Sequence, residues 1–150
     1  MRAVFFLSLT IPSAAIASIQ TETLCLNSLG DRPVKLEFKR FYETESSWAG
    51  GYVKYSTSKN VIPIILKSFE STATSDTSPD DTTSTWLEIK DGKITGSYAA
   101  SSQGGNNYNF LYENFESKES TNFIIDPNAD YTANSGCQWG AANKNQEKNN

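Results

Sequence analysis

Two cysteines, Cys25 and Cys137, stand near opposite ends of a chain of 150 residues, and pairing them limits the fold more than any other feature. In an oxidising compartment a lone pair of cysteines most simply forms one disulfide. Such a bond closes nearly the whole folded chain into one loop, for which chain entropy gives about 4.7 kcal/mol. It also makes the first and last structured segments neighbours. The alternative is two free thiols. A catalytic thiol is a poor reading, because the chain has no histidine to serve as its base.

The N-terminus argues for that compartment. Arg2 is followed by an apolar stretch, Ala3 to Ile11, and by the small-residue site Ala15-Ile16-Ala17. The stretch is shorter than the about 20 residues a spanning helix needs. Residues 1–17 therefore read as a cleaved secretory signal peptide, and the expected location is periplasmic or secreted, with no stable membrane insertion after cleavage. The formal charge of the full chain is −4, and losing Arg2 makes it −5. An acidic chain is badly suited to neutralising phosphates, so nucleic acid is not expected as a partner.

No helical pattern of useful length follows. Instead, short runs rich in Val, Ile, Phe, Tyr and Thr alternate with polar turns. Thr21–Leu26 carries Cys25. Val34 to Lys39 alternates strictly, which predicts a half-buried strand with Val34, Leu36 and Phe38 inward. Trp48–Tyr55 contains Gly50-Gly51, a bulge or bend signal. In Val61–Leu66, Pro63 removes a ladder donor, and β-branched density favours a strand over a short helix. Residues 71–84 read as one long polar loop.

Trp86-Leu87-Glu88-Ile89 alternates again, with Leu87 and Ile89 predicted inward. Asp91-Gly92 is a type I′ hairpin signal. Ile94, Gly96 and Tyr98 then share a face, and Gly96 allows a bend or a side chain crossing above it. After a turn over residues 101–107, Tyr108, Phe110 and Tyr112 share the next inward face. Further strands begin at Phe123 and Ser135. Residues 18–139 thus form one β domain, and 140–150 a polar disordered tail. The expected fold is all-β, a small antiparallel up-and-down barrel of about eight strands closed by a Cys25–Cys137 bridge between first and last strands. A β-sandwich is the alternative.

Asp91 to Tyr98, D-G-K-I-T-G-S-Y, resembles the strand pairs of avidin-type barrels, in which D-G-x-[LI]-x-G-x-Y recurs. The resemblance covers those residues alone, and the tryptophans depart from that family, so no biotin site is carried over. The plan of signal peptide, small barrel and bridged ends is similar to that of periplasmic lysozyme inhibitors in architecture only.

The chemistry is defined largely by what is missing. Without histidine there is no Ser-His-Asp arrangement and no histidine-ligated metal. Glu37, Glu88 and Glu113 could supply carboxylate chemistry, but their spacing predicts a solvated outer face. Asp126, Asn128 and Asp130 place oxygens as a calcium loop does, yet Tyr131 and Cys137 fall where glycine and glutamate belong. A strand-ending turn is the plainer reading, and neither a metal nor a cofactor is expected.

What remains is binding. Aromatics and polar side chains outside the alternation are surface candidates: Trp48, Tyr52 and Trp86, with Asp76, Asp80, Asp81, Gln103 and Asn106 on the loops. The expected function is an exported, non-enzymatic binding protein of inhibitor or immunity type, acting on an envelope or secreted protein, for which a basic partner fits the chain's acidic charge. The alternative is a small-ligand carrier using the barrel interior, where Tyr98, Tyr108 and Phe110 would line a cavity.

Overall fold

The computed structural model describes residues 18–132 and 135–140. The signal-peptide reading of 1–17 and the tail from 141 onward lie outside the described residues. Ten strands follow one another: β1 (Ile19–Ser28), β2 (Lys35–Glu43), β3 (Trp48–Tyr55), β4 (Ile62–Thr72), β5 (Asp81–Lys90), β6 (Lys93–Gln103), β7 (Asn106–Asn114), β8 (Ser120–Ile125), β9 (Ala129–Thr132) and β10 (Gly136–Trp139). The first eight form a closed antiparallel barrel in sequence order, and β9 and β10 form a separate hairpin.

Closure comes from β8 pairing with β1 over Leu26–Ser28. The disulfide joins Cys25 of β1 to Cys137 of β10, so the first and last strands are bridged as expected. Its task is different from closing the sheet. Leu24 and Leu26 belong to the core, so Cys25 between them points outward. The bond therefore holds the β9–β10 hairpin against the outside of the wall. Glu37, the cross-strand neighbour of Cys25, completes this clasp. Its Oε2 accepts the Cys137 N–H at 2.7 Å, and its Oε1 accepts the Tyr52 hydroxyl at 2.7 Å. Glu37 is on the outer face, as its spacing predicted, but it is buried under the hairpin rather than solvated. Gly136, at φ 68°, lies so close that a Cβ there would collide with the Glu37 carboxylate.

Rings fill the barrel axis. Phe38 of β2 meets Trp86 of β5, Tyr98 of β6 and Phe110 of β7 at centroid distances of 6.0, 5.7 and 4.8 Å. Leu36, Phe38, Tyr98 and Phe110 are buried as predicted, and Tyr112 packs against them. Gly96 is buried too, and its backbone carries Tyr112 overhead: a Cβ there would come within 2.7 Å of the Tyr112 ring and 2.6 Å of the Glu113 carbonyl. The side chain of Tyr108 lies outside the described residues.

Four inward assignments are corrected. Val34 precedes β2 and is exposed, because its N–H and C=O are used to close the β1–β2 loop on Ser28. Leu87 and Ile89 point outward, since the inward residues of β5 are Ser84, Trp86 and Glu88. Ile94 is exposed because the β5–β6 register shifts: Ile89 pairs with Ile94 but Glu88 with Gly96, so Thr95 is an extra residue and the face reverses. The predicted 71–84 loop is also shorter. β4 runs to Thr72 and β5 starts at Asp81, leaving residues 73–80, because Thr82 and Thr83 bond across to Ser102 and Ser101.

Asp91 and Gly92 have φ of 52° and 73°, the two positive values a type I′ turn requires.

Candidate binding face

The meander places alternate connections at opposite ends. One rim holds the start of β1, the β2–β3 turn (44–47), the β4–β5 loop (73–80) and the β6–β7 turn (104–105); we call it the Trp48 rim. The other, the Asp91 rim, holds 29–34, 56–61, the β5–β6 turn and 115–119.

The two rims differ in charge. Glu22, Glu43, Glu45, Glu70, Asp76, Asp80 and Asp81 lie at the Trp48 rim, where the cations among the described residues are Lys67 and the buried Arg40. At the Asp91 rim, Arg32, Lys59, Lys90, Lys93 and Lys118 offset Asp31, Asp91, Glu116 and Glu119. The barrel therefore carries its acidic excess at one end.

The Trp48 rim is also firm. Glu43 ties the β2–β3 turn by accepting the Glu45 N–H at 2.8 Å, the Ser46 N–H at 2.6 Å and the Ser46 hydroxyl. Those bonds, the Ser46 hydroxyl first, hold its carboxyl below the usual range. The 73–80 loop is folded on itself: the Ser71 hydroxyl donates to Asp80 at 2.8 Å and the Thr74 hydroxyl to the Pro79 carbonyl at 3.0 Å. The Gln103 amide donates to the same carbonyl at 3.3 Å, joining this loop to the β6–β7 turn.

Two large aromatic side chains stand open beside these acids. Trp48 is 53% exposed and lies over Gly50, where a Cβ would come within 2.8 Å of its ring. Phe69 is 62% exposed at the far end of β4. Phe69 was not a sequence-predicted site residue; it lies between the predicted strand Val61–Leu66 and the predicted loop 71–84, in a stretch given no assignment.

Of the predicted surface residues, the rim gathers Trp48, Asp76, Asp80, Asp81, Gln103 and Asn106. Tyr52 lies on the outer wall, its hydroxyl committed to Glu37. Burial and that carboxylate push its pKa up to about 12. Trp86 is a correction: it is 0% exposed, at the centre of the core, and its indole N–H donates to Ser84 Oγ at 3.0 Å.

Beneath the rim lies Arg40, on the inward face of β2. Its guanidinium reaches Glu22 Oε2 at 2.5 Å and Ser84 Oγ at 3.1 Å, and sits within 6 Å of the Phe38, Tyr42 and Trp86 ring centroids. An inward arginine needs such partners to offset desolvation. Its charge is matched by Glu22, so it seals this end rather than recruiting an anion.

Glu88 is the counterpart at the other end and a second correction. It faces inward and is 4% exposed, not solvated. Thr95 and Tyr98 each donate a hydroxyl to it at 2.7 Å, and Tyr112 donates at 3.3 Å. Burial first, and then Glu88, pushes the Tyr112 pKa above its ordinary value; burial also raises that of Tyr98. A cleft of about 310 Å³ opens above, with Tyr55, Lys90 and Glu116 among its walls. Three hydroxyl donors already occupy the carboxylate, so it serves as the acceptor of a structural cluster. Glu113 is exposed on the outer wall, as predicted.

Asp126 is likewise spent within the fold. Its Oδ1 accepts the Asn128 N–H at 2.9 Å, and its Oδ2 faces Lys35 Nζ at 3.3 Å. This is the strand-ending turn, at the point where the chain leaves the barrel.

Comparison with models of known protein families, with curated proteins and with solved structures finds no match to this chain.

Proposed function

We propose that this protein is an exported, non-enzymatic binding protein of the cell envelope, of inhibitor or immunity type, which engages a basic protein partner through its Trp48 rim. The observation that carries this reading is the concentration of acidic side chains at that rim around two exposed aromatic residues, Trp48 and Phe69. Exposed aromatics anchor interfaces, and a single-sign field speeds encounter with an opposite charge. The bonds within the two rim loops reduce the entropy lost on binding. The disulfide is consistent with an oxidising, extracytoplasmic compartment. Aromatic packing along the axis weighs against a carrier that would need the same space.

The test begins with capture of partners from envelope extract at low salt on the immobilised chain, followed by kinetics with the recovered protein. Association should slow at least about tenfold between low and high salt. Glu70→Lys with Asp76→Lys should slow it similarly, and Trp48→Ala should raise the dissociation rate about tenfold or more. A partner whose kinetics ignore all three changes would overturn the rim assignment.

A further inference from the structure

The Asp91 rim carries a pattern that the acidic charge of the whole chain hides. Each of its four connections presents an exposed apolar side chain beside an exposed cation. Leu29 and Val34 accompany Arg32, Val61 accompanies Lys59, Ile94 accompanies Lys90 and Lys93, and Phe115 accompanies Lys118. Leu29, Val61 and Ile94 are 67%, 50% and 52% exposed. None of the five cations forms an ion pair among the described residues. The pattern is densest where the 56–61 connection faces the β5–β6 turn across a shallow pocket of about 240 Å³, walled by Val61, Pro63, Ile89 and Lys90 among others. There Lys59, Lys90 and Lys93 stand against one acid, Asp91.

We propose that this rim docks the barrel, reversibly and without spanning, on an anionic phospholipid surface. Lysines near such a surface are drawn to its headgroups, and apolar side chains beside them enter the headgroup boundary. Composition favours a bilayer over a protein as the occupant. Protein interfaces are enriched in aromatic side chains and arginine and depleted in lysine. The exposed tryptophan stands at the Trp48 rim, whereas the Asp91 rim has mostly aliphatic tips and four lysines to one arginine. Around the whole rim, Asp31, Asp91, Glu116 and Glu119 leave the five cations an excess of one, so the apolar tips carry much of the affinity and docking is weak. The acidic rim does not oppose it. The ten residues of β5 span about 33 Å, and the tilt of a barrel strand leaves the rims about 25 Å apart. That is more than twice the screening length of about 10 Å at about 0.1 M salt. A barrel docked in this way turns its Trp48 rim to the aqueous side, so the inference is independent of what that rim binds.

The chain's own remaining segments do not fit this rim. The C-terminal segment follows Trp139, whose ring lies 5.6 Å from Lys35 at the start of β2, the same end of the barrel. It reads A-A-N-K-N-Q-E-K-N-N, with two lysines to one glutamate and no apolar side chain larger than alanine. Such a segment can neither bury the tips nor neutralise the cations. Residues 1–17 precede β1, which begins at the Trp48 rim, the opposite end. A two-fold contact with a second copy would set the lysines of one rim against those of the other.

The probes are vesicles of phosphatidylcholine alone and of phosphatidylcholine with about one third phosphatidylglycerol, sedimented with the protein, its bridge intact. Residues 1–17 include an apolar stretch of their own, so the full chain is compared with the chain from Ser18, which keeps every strand. The chain from Ser18 should bind the anionic vesicles at least about tenfold better than the neutral ones, and high salt should remove most of that difference. Lys59→Gln with Lys93→Gln should weaken anionic binding about tenfold or more. Val61→Ser with Ile94→Ser should weaken it about tenfold, and the lysine pair keeps the test open if the serine pair disturbs folding. Trp48→Ala should bind as the parent does. Any of these results overturns the proposal: no binding unless residues 1–17 are present; equal binding to both vesicles; binding indifferent to both pairs of substitutions; loss with Trp48→Ala; binding that appears only on truncation after Gly140; or a lipid-free dimer that the serine pair dissociates.

Discussion

Reducing the Cys25–Cys137 bond tests how the barrel is closed. The bond spans 112 positions, and the chain-entropy relation for that loop gives about 4.8 kcal/mol of stability lost on reduction. That is the full loss if the β9–β10 hairpin stays docked. If the hairpin floats free, the folded state also regains freedom, but only over the dozen or so residues from Asp126 to Cys137, for which the same relation gives about 2.8 kcal/mol. The expected loss therefore lies between about 2 and 5 kcal/mol. What keeps the hairpin docked is the Glu37 contact to the Cys137 N–H, together with Lys35 on Asp126 and beside Trp139. Urea unfolding with and without a phosphine reductant, followed by circular dichroism and tryptophan fluorescence, measures the difference without altering any side chain. A reduced protein with no folded baseline would refute the claim that β1–β8 pairing closes the barrel. A loss under about 1 kcal/mol would refute the loop argument itself.

Further outcomes follow from the interior. Gly96→Ala should cost about 1–3 kcal/mol in urea, since the new methyl group meets the Glu113 carbonyl and the Tyr112 ring. Glu88→Leu should cost about 3 kcal/mol or more, leaving the Tyr98, Thr95 and Tyr112 hydroxyls without their acceptor; equal stability by denaturant titration would sink that assignment. Tyr52 has a folded pKa raised to about 12 from an ordinary 10, so its stabilisation is complete below pH 10 and is lost as pH rises toward 12. Ultraviolet titration should show a late-ionising tyrosine that Glu37→Gln moves back toward 10.

The strand meander was legible because most strands alternate and most turns carry glycine or Asx residues, as at Leu36, Phe38, Asp91 and Gly92. Facing was less legible where both alternations were plausible. In Trp86-Leu87-Glu88-Ile89 the rule preferred the aliphatic pair, and the interior took the tryptophan with a carboxylate. Glu88 can be inward only because hydroxyls on β6 and β7 meet it, and that pairing is not visible in local sequence. Ile94 was misplaced by a single extra residue, Thr95. The Ser- and Thr-rich stretch concealed strand ends because hydroxyl side chains suit turns and cross-strand pairs alike. The rim itself was half visible: its acids and Trp48 could be named individually, but their convergence with Gln103 and Asn106 depends on the order of the strands.

The clasp on the outside of the wall also has a consequence in time. During synthesis Cys25 emerges early, and its partner follows 112 positions later. The strands from β1 to β8 can all be in place while both thiols are still free, because none of their pairings requires the hairpin. Oxidation is then the closing event, and it is possible only once Cys137 has been synthesised. A free thiol on the side of β1 thus marks every molecule whose synthesis stopped short of Cys137, and thiol-specific labelling would count them.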